Sequence, residues 1–257
     1  MLSTVDVDSP NGNLTSMLKK PPRGLFVTGT STESGKTFVA ALIARALRES
    51  ENRRVGVYKP AASDCVKVGS EIISEDAAVL WEAAGRPLNL ESVCPQRFQA
   101  VLAPHLAAKA EGREIDSQML RRGISVWTDH CDSIVVEGAG GLMSPIGESE
   151  FVADIAADLG YPLIVVVPNV LGCINFTMQT LIAAACYGKG LPVAGIVMTH
   201  PEGFGGDVSI NSNADEIAKR SVAPILAKVA FGADSFDTDV DWFALSDPSK
   251  YQDVVAK

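Results

Sequence analysis

Gly24-Leu-Phe-Val-Thr-Gly29-Thr-Ser-Thr-Glu33-Ser-Gly35-Lys36-Thr37-Phe38 sets a short apolar run directly before a glycine-bounded loop and a Lys-Thr pair. Gly24 to Thr28 has the length and continuous hydrophobicity of a buried strand. Thr37 to Ser50 carries apolar residues at Val39, Leu42, Ile43, Ala46 and Leu47, the spacing of a helix. A strand that turns through glycines into a helix opening on Lys and Thr is the context of a phosphate loop. Successive backbone N–H groups and the helix N-terminus can cradle an anion there. Gly35 lets the backbone come close, Lys36 brings positive charge to the β- and γ-phosphates, and the Thr37 hydroxyl is a ligand for Mg²⁺. The common motif has four residues between its glycines, whereas Gly29 and Gly35 have five between them.

Beyond the loop, strand and helix patterns alternate. Val55–Tyr58, Ser133–Glu137, Leu163–Val167, Val193–Met198 and Ile225–Val229 are short Val/Ile/Leu-rich runs. Such runs suit a parallel sheet covered on both faces. Helices are predicted after Ser74 to Ala84, over Ala103–Ala110, Ser117–Asp129, Phe151–Leu159 and Cys173–Tyr187, with a short one over Asp241–Lys257 and a loop over Phe231–Val240. The expected fold is α/β: a doubly wound, mostly parallel sheet with helices on both faces, similar to phosphate-loop nucleoside triphosphatases. Residues 23–257 are expected to form one domain, and residues 1–22, rich in Ser, Asn, Asp and Pro, a flexible tail.

The chain has 257 residues and a net charge of -9, from 22 basic against 31 acidic residues. With no basic stripe, neither nucleic acid nor an anionic membrane surface is an expected partner. The five cysteines are widely spaced and odd in number, which points to free thiols in a reducing compartment. No signal peptide is evident, and the longest apolar run, Leu163–Val167, is far too short to span a bilayer. The expected location is cytoplasmic.

A loop threonine alone does not hold Mg²⁺, which wants further oxygen ligands. Glu137 closes an apolar strand and precedes Gly138-Ala139-Gly140-Gly141, where a carboxylate would face the ligand crevice at the strand ends. Asp76 stands in the first turn of its helix, where capping and metal binding are both open readings; Glu75 is a surface charge. Lys59 follows the second strand, where two readings stay open: an exposed lysine before Pro60, or a second cation that with Lys36 neutralises a transferring phosphoryl group. Gly172-Cys173-Ile174-Asn175 opens a helix, where an ordinary helix entry and a carboxylate site built from free N–H groups are both open readings. Cys173 has no His beside it to activate it and is a packing residue.

Taken together, Phe26–Thr30, Thr32-Glu33, Gly35–Thr37, Tyr58-Lys59-Pro60 with Ser63, Pro104-His105, Val136–Gly141 and Leu171–Asn175 resemble the dethiobiotin synthetases, in order, over about residues 24–230. The five-residue loop spacing is that family's own form of the motif. The resemblance implies that one amine of 7,8-diaminononanoate is carbamated by CO2, that ATP phosphorylates the carbamate, and that the second amine closes the ureido ring. It further implies that Glu33, Ser34, Gly35, Lys36, Thr37 and Phe38 cradle the triphosphate, with Gly138, Ala139 and Gly140 near it. Thr37, Asp76 and Glu137 then ligate Mg²⁺, Lys36 and Lys59 balance charge, and Thr32 and Ser63 face the diamine or its carbamate. Gly172, Cys173, Ile174 and Asn175 would receive the substrate carboxylate from the partner subunit of a homodimer.

The resemblance departs at the base. The family commonly carries an Asn-Asp pair after the Val193–Met198 strand, its Asn reading adenine; this chain has Thr199-His200, and Ala230-Phe231-Gly232 where a Pro-aromatic-Leu element is usual. Weaker discrimination among nucleoside triphosphates is therefore expected. The alternative function is a nucleotide-binding paralogue or a phosphate-loop ATPase switch without synthetase activity.

Overall fold

Every apolar run expected to be a strand enters one sheet. The computed structural model describes residues 18–203 and 207–251. In chain order the elements are β1 (Gly24–Gly29), α1 (Lys36–Glu49), β2 (Val55–Tyr58), β3 (Ala61–Ala62), β4 (Val66–Val68), β5 (Glu71–Ile73), α2 (Glu75–Ala83), α3 (Leu90–Val93), β6 (Gln96–Arg97), α4 (Pro104–Ala110), α5 (Ser117–Arg122), β7 (Ser133–Gly141), α6 (Val152–Leu159), β8 (Leu163–Pro168), α7 (Cys173–Cys186), β9 (Val193–His200), α8 (Asn213–Arg220), β10 (Ile225–Ala230) and α9 (Trp242–Leu245). The main sheet has the order β10-β9-β8-β1-β7-β2, with all neighbours parallel. β3 pairs with β6, and β4 with β5 in an exposed antiparallel hairpin.

Alternation along β8 shows why its run is continuously apolar. Ile164 and Val166 join the main core with Leu42, Ile43 and Val197, while Val165 and Val167 pack with Ile196, Met198, Ala214 and Ile217. Both faces are covered, so neither set of side chains is polar. The chain builds outward from β1 to β2 on one side and through β8 to β10 on the other. The reversal around β1 is where ligands sit in sheets of this kind. No helix among the described residues is long and apolar enough to cross a membrane.

Three expectations need correction, and one helix carried no expectation. The helix expected over Ser117–Asp129 ends at Arg122 and continues as a 3₁₀ turn over Gly123–Trp127. The Tyr58 hydroxyl captures the carbonyls of Met119 (2.9 Å) and Leu120 (3.1 Å), which tightens that end. β7 does not stop at Glu137 but runs on to Gly141, opposite Gly29 of β1. The C-terminal helix is only α9, capped by Asp241; Pro248, which cannot donate an N–H, opens a 3₁₀ turn to Tyr251, and residues 252–257 lie outside the described residues. Finally, α8 had no sequence expectation, because it buries only Asn213, Ala214 and Ile217 on an otherwise polar helix. Of the expected N-terminal tail, residues 1–17 lie outside the described residues; the Pro21 carbonyl accepts from the Tyr161 hydroxyl at 2.6 Å.

Candidate active site

The loop between β1 and α1 is held from two directions. Thr30 N–H donates to the Val166 carbonyl of β8 (3.1 Å), and Lys36 Nζ donates back to the Ser31 carbonyl (2.9 Å). A Cβ on Gly29 would sit 2.1 Å from Ser34 Oγ, so only glycine lets the loop fold over the strand end. Gly35, the residue before α1, has φ +86°, a left-handed value that glycine adopts freely. Among the described residues it gives α1 no side-chain cap, and the first-turn N–H groups are left for an anion.

Across the loop lies a charge cluster. The Thr37 hydroxyl meets Asp76 Oδ1 at 3.0 Å and Glu137 Oε1 at 2.9 Å. Lys59 Nζ lies 2.7 Å from both Asp76 Oδ2 and Glu137 Oε1. Lys59 and Glu137 are almost fully buried, 4% and 1% exposed. Burial alone pulls the Lys59 ammonium down, but the Glu137 and Asp76 carboxylates overcome it and hold the ammonium above its ordinary value. Lys36 goes the other way: burial, reinforced by the charge of Lys59, outweighs the two carboxylates and lowers it. Burial opposes ionisation of Asp76, yet Lys59 beside it wins and keeps its carboxyl below the ordinary range.

The local fold explains why Asp76 is available. Ser74 caps α2, its hydroxyl accepting from Ala77 N–H at 3.2 Å, so capping does not occupy the Asp76 carboxylate. Glu75 is exposed. Of the residues singled out from sequence, Thr32, Glu33, Gly35, Lys36, Thr37, Phe38, Lys59, Ser63, Asp76, Glu137, Ala139 and Gly140 line one cleft of about 720 Å³. Ser34 is buried beneath the loop, and a Cβ on Gly138 would lie 2.7 Å from Val152 Cγ1 and 3.2 Å from Phe26 Cε1. Spacing gave no sign of Val101, Leu102 and Ser144, which also line the cleft; the Ser144 hydroxyl accepts from Gly141 N–H at 2.8 Å.

Gly172, Cys173, Ile174 and Asn175 do not line that cleft within the chain. Gly172 has φ +93° and, among the described residues, provides no side-chain cap for α7. Burial pushes the Cys173 thiol up, which suits a packing residue rather than a nucleophile. At the expected base position, Thr199 is turned inward and His200 Nε2 accepts from Asn169 Nδ2 at 3.2 Å.

Fold and site together define a phosphate-loop α/β protein that binds a nucleoside triphosphate. The ATP-dependent dethiobiotin synthetase of Rhodopirellula baltica is 39% identical over 79% of this chain and 82% of its own, and that of Anaeromyxobacter dehalogenans (strain 2CP-C) is 45% identical over 77% and 85%. The chain belongs to the dethiobiotin synthetase family. The similar enzyme of Bacillus cereus (strain B4264) is 37% identical over 83% of this chain and 85% of its own. The profile of the AAA domain family matches residues 23–235. The fold is shared with a ParA family ATPase from Chlorobium tepidum, at a TM-score of 0.50 and 16% identity over 91% of this chain and 93% of that one.

Proposed function

We propose that the chain makes dethiobiotin from 7,8-diaminononanoate, CO2 and MgATP in the cleft between the phosphate loop, Lys59 and Ser63. One amine adds to CO2 and gives a carbamate. A carbamate oxygen takes the γ-phosphoryl group of ATP, with ADP leaving, and the second amine attacks the activated carbonyl carbon and expels phosphate as the ring closes. The observation that carries this reading is the placement of Lys36 and Lys59 in one cleft, with Thr37, Asp76 and Glu137 gathered around Lys59. Two cations suit a doubly anionic meeting of carbamate and phosphoryl group, whose charge peaks as the phosphoryl moves. Thr32 and Ser63 are the hydroxyls that face the diamine.

The residues fit Mg²⁺. Thr37, Asp76 and Glu137 offer only hard oxygens, and Glu137 Oε2 is buried with no hydrogen-bond partner among the described residues. Among the described residues no three His, Cys, Asp or Glu side chains form a metal cluster. Mg²⁺ keeps waters and phosphate oxygens as most of its ligands, so a hydroxyl and two carboxylates suffice to hold it. When bound, the ion would neutralise phosphate charge; Thr37, Asp76 and Glu137 would hold it. The diagnostic assay is dethiobiotin formation from the diamine, bicarbonate and MgATP. Product that requires all of them is expected, and nucleotide hydrolysis without product would favour the ATPase-switch alternative.

The dimer belongs to the same proposal. The Gly172–Asn175 turn lies outside the chain's own cleft, and exposed Leu171, Phe176 and Ile182 flank it. A second copy covers this apolar surface and receives the turn at its cleft. Base selection is relaxed, because Thr199 stands where the family's adenine-reading Asn would be and its hydroxyl is engaged by the Ser34 carbonyl. Turnover with ATP, GTP and CTP at equal concentration is expected to agree within about tenfold, the scale of losing one discriminating polar contact. A hundredfold preference for ATP would contradict this.

A further inference from the structure

We propose that Thr199 is a positioning residue of the phosphate loop and not a reader of the nucleotide base. The proposal rests on the assignment of that loop to a triphosphate. β9 lies two strands from β1, with β8 between them. The loop nevertheless reaches it: Thr199 Oγ1 donates to the Ser34 carbonyl at 3.0 Å, 165 residues away in the chain. The contact is close-packed as well as polar, since a Cβ added to Gly35 would lie 3.1 Å from Thr199 Cγ2. Thr199 is buried, and its own carbonyl accepts Asn169 N–H at 2.7 Å. Its hydroxyl and its methyl are both spent on the loop.

The consequence follows from peptide geometry. In a planar trans peptide the C=O and the next N–H point in opposite directions. Holding the Ser34 carbonyl toward β9 turns Gly35 N–H to the other side, and Gly35 lines the cleft. This peptide needs an outside restraint more than its neighbours do. Gly35 accepts either sign of φ, so its own sterics do not fix the plane of the Ser34–Gly35 unit. Thr199 supplies that restraint from a strand that does not carry the loop. A preformed nest of N–H groups binds phosphate without first being ordered, so the hydroxyl acts on the phosphates whatever base they carry.

The test measures dissociation constants by calorimetry, in the presence of Mg²⁺, for ATP, CTP and inorganic tripolyphosphate, the last having no base. Thr199→Val, which keeps the shape and removes the hydroxyl, is expected to weaken all three by the same factor of roughly ten, the effect of one buried hydrogen bond. Thr199→Ser is expected to recover most of that loss. A Thr199→Val protein that loses ATP relative to CTP while binding tripolyphosphate as before would make Thr199 a base reader and overturn the proposal; so would unchanged binding of all three. Should Thr199→Val fail to fold, Thr199→Ala carries the same comparison. Parent protein that binds no tripolyphosphate overturns the loop assignment and this proposal together. Parent protein that binds all three but makes no dethiobiotin leaves this proposal standing and removes only the reaction above.

Discussion

Lys59→Ala is expected to reduce dethiobiotin formation by about 10³-fold and, in the same protein, to lower the melting temperature by roughly 10 °C. The first effect comes from removing one of two cations placed against the carbamate and the moving phosphoryl group, a loss of the size seen for a preorganised electrostatic donor. The second comes from the apo fold. Lys59 is the buried counter-charge of Glu137, 2.7 Å away and 1% exposed. Removing one partner of such a pair strands the other and costs about 3–5 kcal/mol, which for a chain of this length is a shift of order 10 °C. The two effects separate in the double variant Lys59→Ala/Glu137→Gln. There the stranded charge is gone, so the melting temperature recovers while turnover stays lost. A Lys59→Ala enzyme that works within tenfold of the parent, or a double variant no more stable than the single one, would remove this account of the cluster.

The pH dependence of stability has a definite sign at the same place. Lys59 keeps the Asp76 carboxyl below its ordinary value of 3.8 against the opposing effect of burial. Stability from a depressed carboxyl is present above its unfolded value and is lost as pH falls through the folded one. Melting temperature followed from pH 6 down to pH 2 therefore falls more steeply for the parent than for Asp76→Asn. Parallel curves would show that Lys59 does not hold the carboxylate in solution.

The sheet was legible in the sequence because five of its six strands are buried along most of their length, and burial on both faces leaves a continuous apolar run; the edge strand β10 is only partly buried but is apolar at every position except Lys228. The β4–β5 hairpin and α8 were not: the hairpin strands are three residues each and largely exposed, and α8 is mostly polar with few buried side chains. The phosphate loop was legible for a different reason: strand, glycines, Lys36 and Thr37 are contiguous, and the motif is local. The cluster opposite it is not local. Thr37, Lys59, Asp76 and Glu137 meet across separations of 39, 78 and 100 residues, which no spacing rule encodes. At Asp76 the capping role belongs to a neighbour, Ser74, which leaves the carboxylate for the cluster with Thr37 and Lys59. Thr199 marks the limit in the other direction. Its position was singled out for lacking an amide, but its inward hydrogen bond to Ser34 was visible only once β9 stood beside the loop.

Two impaired variants mixed in equal amounts are expected to regain about a quarter of the parental activity when the diamine is below the parental KM. Asn175 lies in the first turn of α7 and is exposed. An acid there suits the helix dipole, so Asn175→Asp folds, but its charge repels the substrate carboxylate and raises KM for the diamine at least tenfold. Lys59→Ala is inactive through its own cleft. If each cleft takes its Gly172–Asn175 turn from the other chain, one site in a mixed dimer combines an intact Lys59 with an intact Asn175, and the other combines both defects. Equal amounts of the two variants give half mixed dimers, each with one working site, hence about one site in four. The prediction differs from a site complete within one chain, for which every site in the mixture carries one defect and activity is only the sum of the two variants. Co-expressed and separately tagged chains, purified as mixed dimers and assayed at saturating MgATP with the diamine below the parental KM, distinguish the cases; every purified dimer then has one working site, so about half the parental activity is expected. Activity no greater than that sum would place the turn's role within its own subunit, and a chain that stays monomeric at assay concentration would exclude the shared site. The geometry favours complementation because the turn has the free N–H groups of a carboxylate site, lies outside the chain's own cleft, and is flanked by apolar side chains that water does not solvate well.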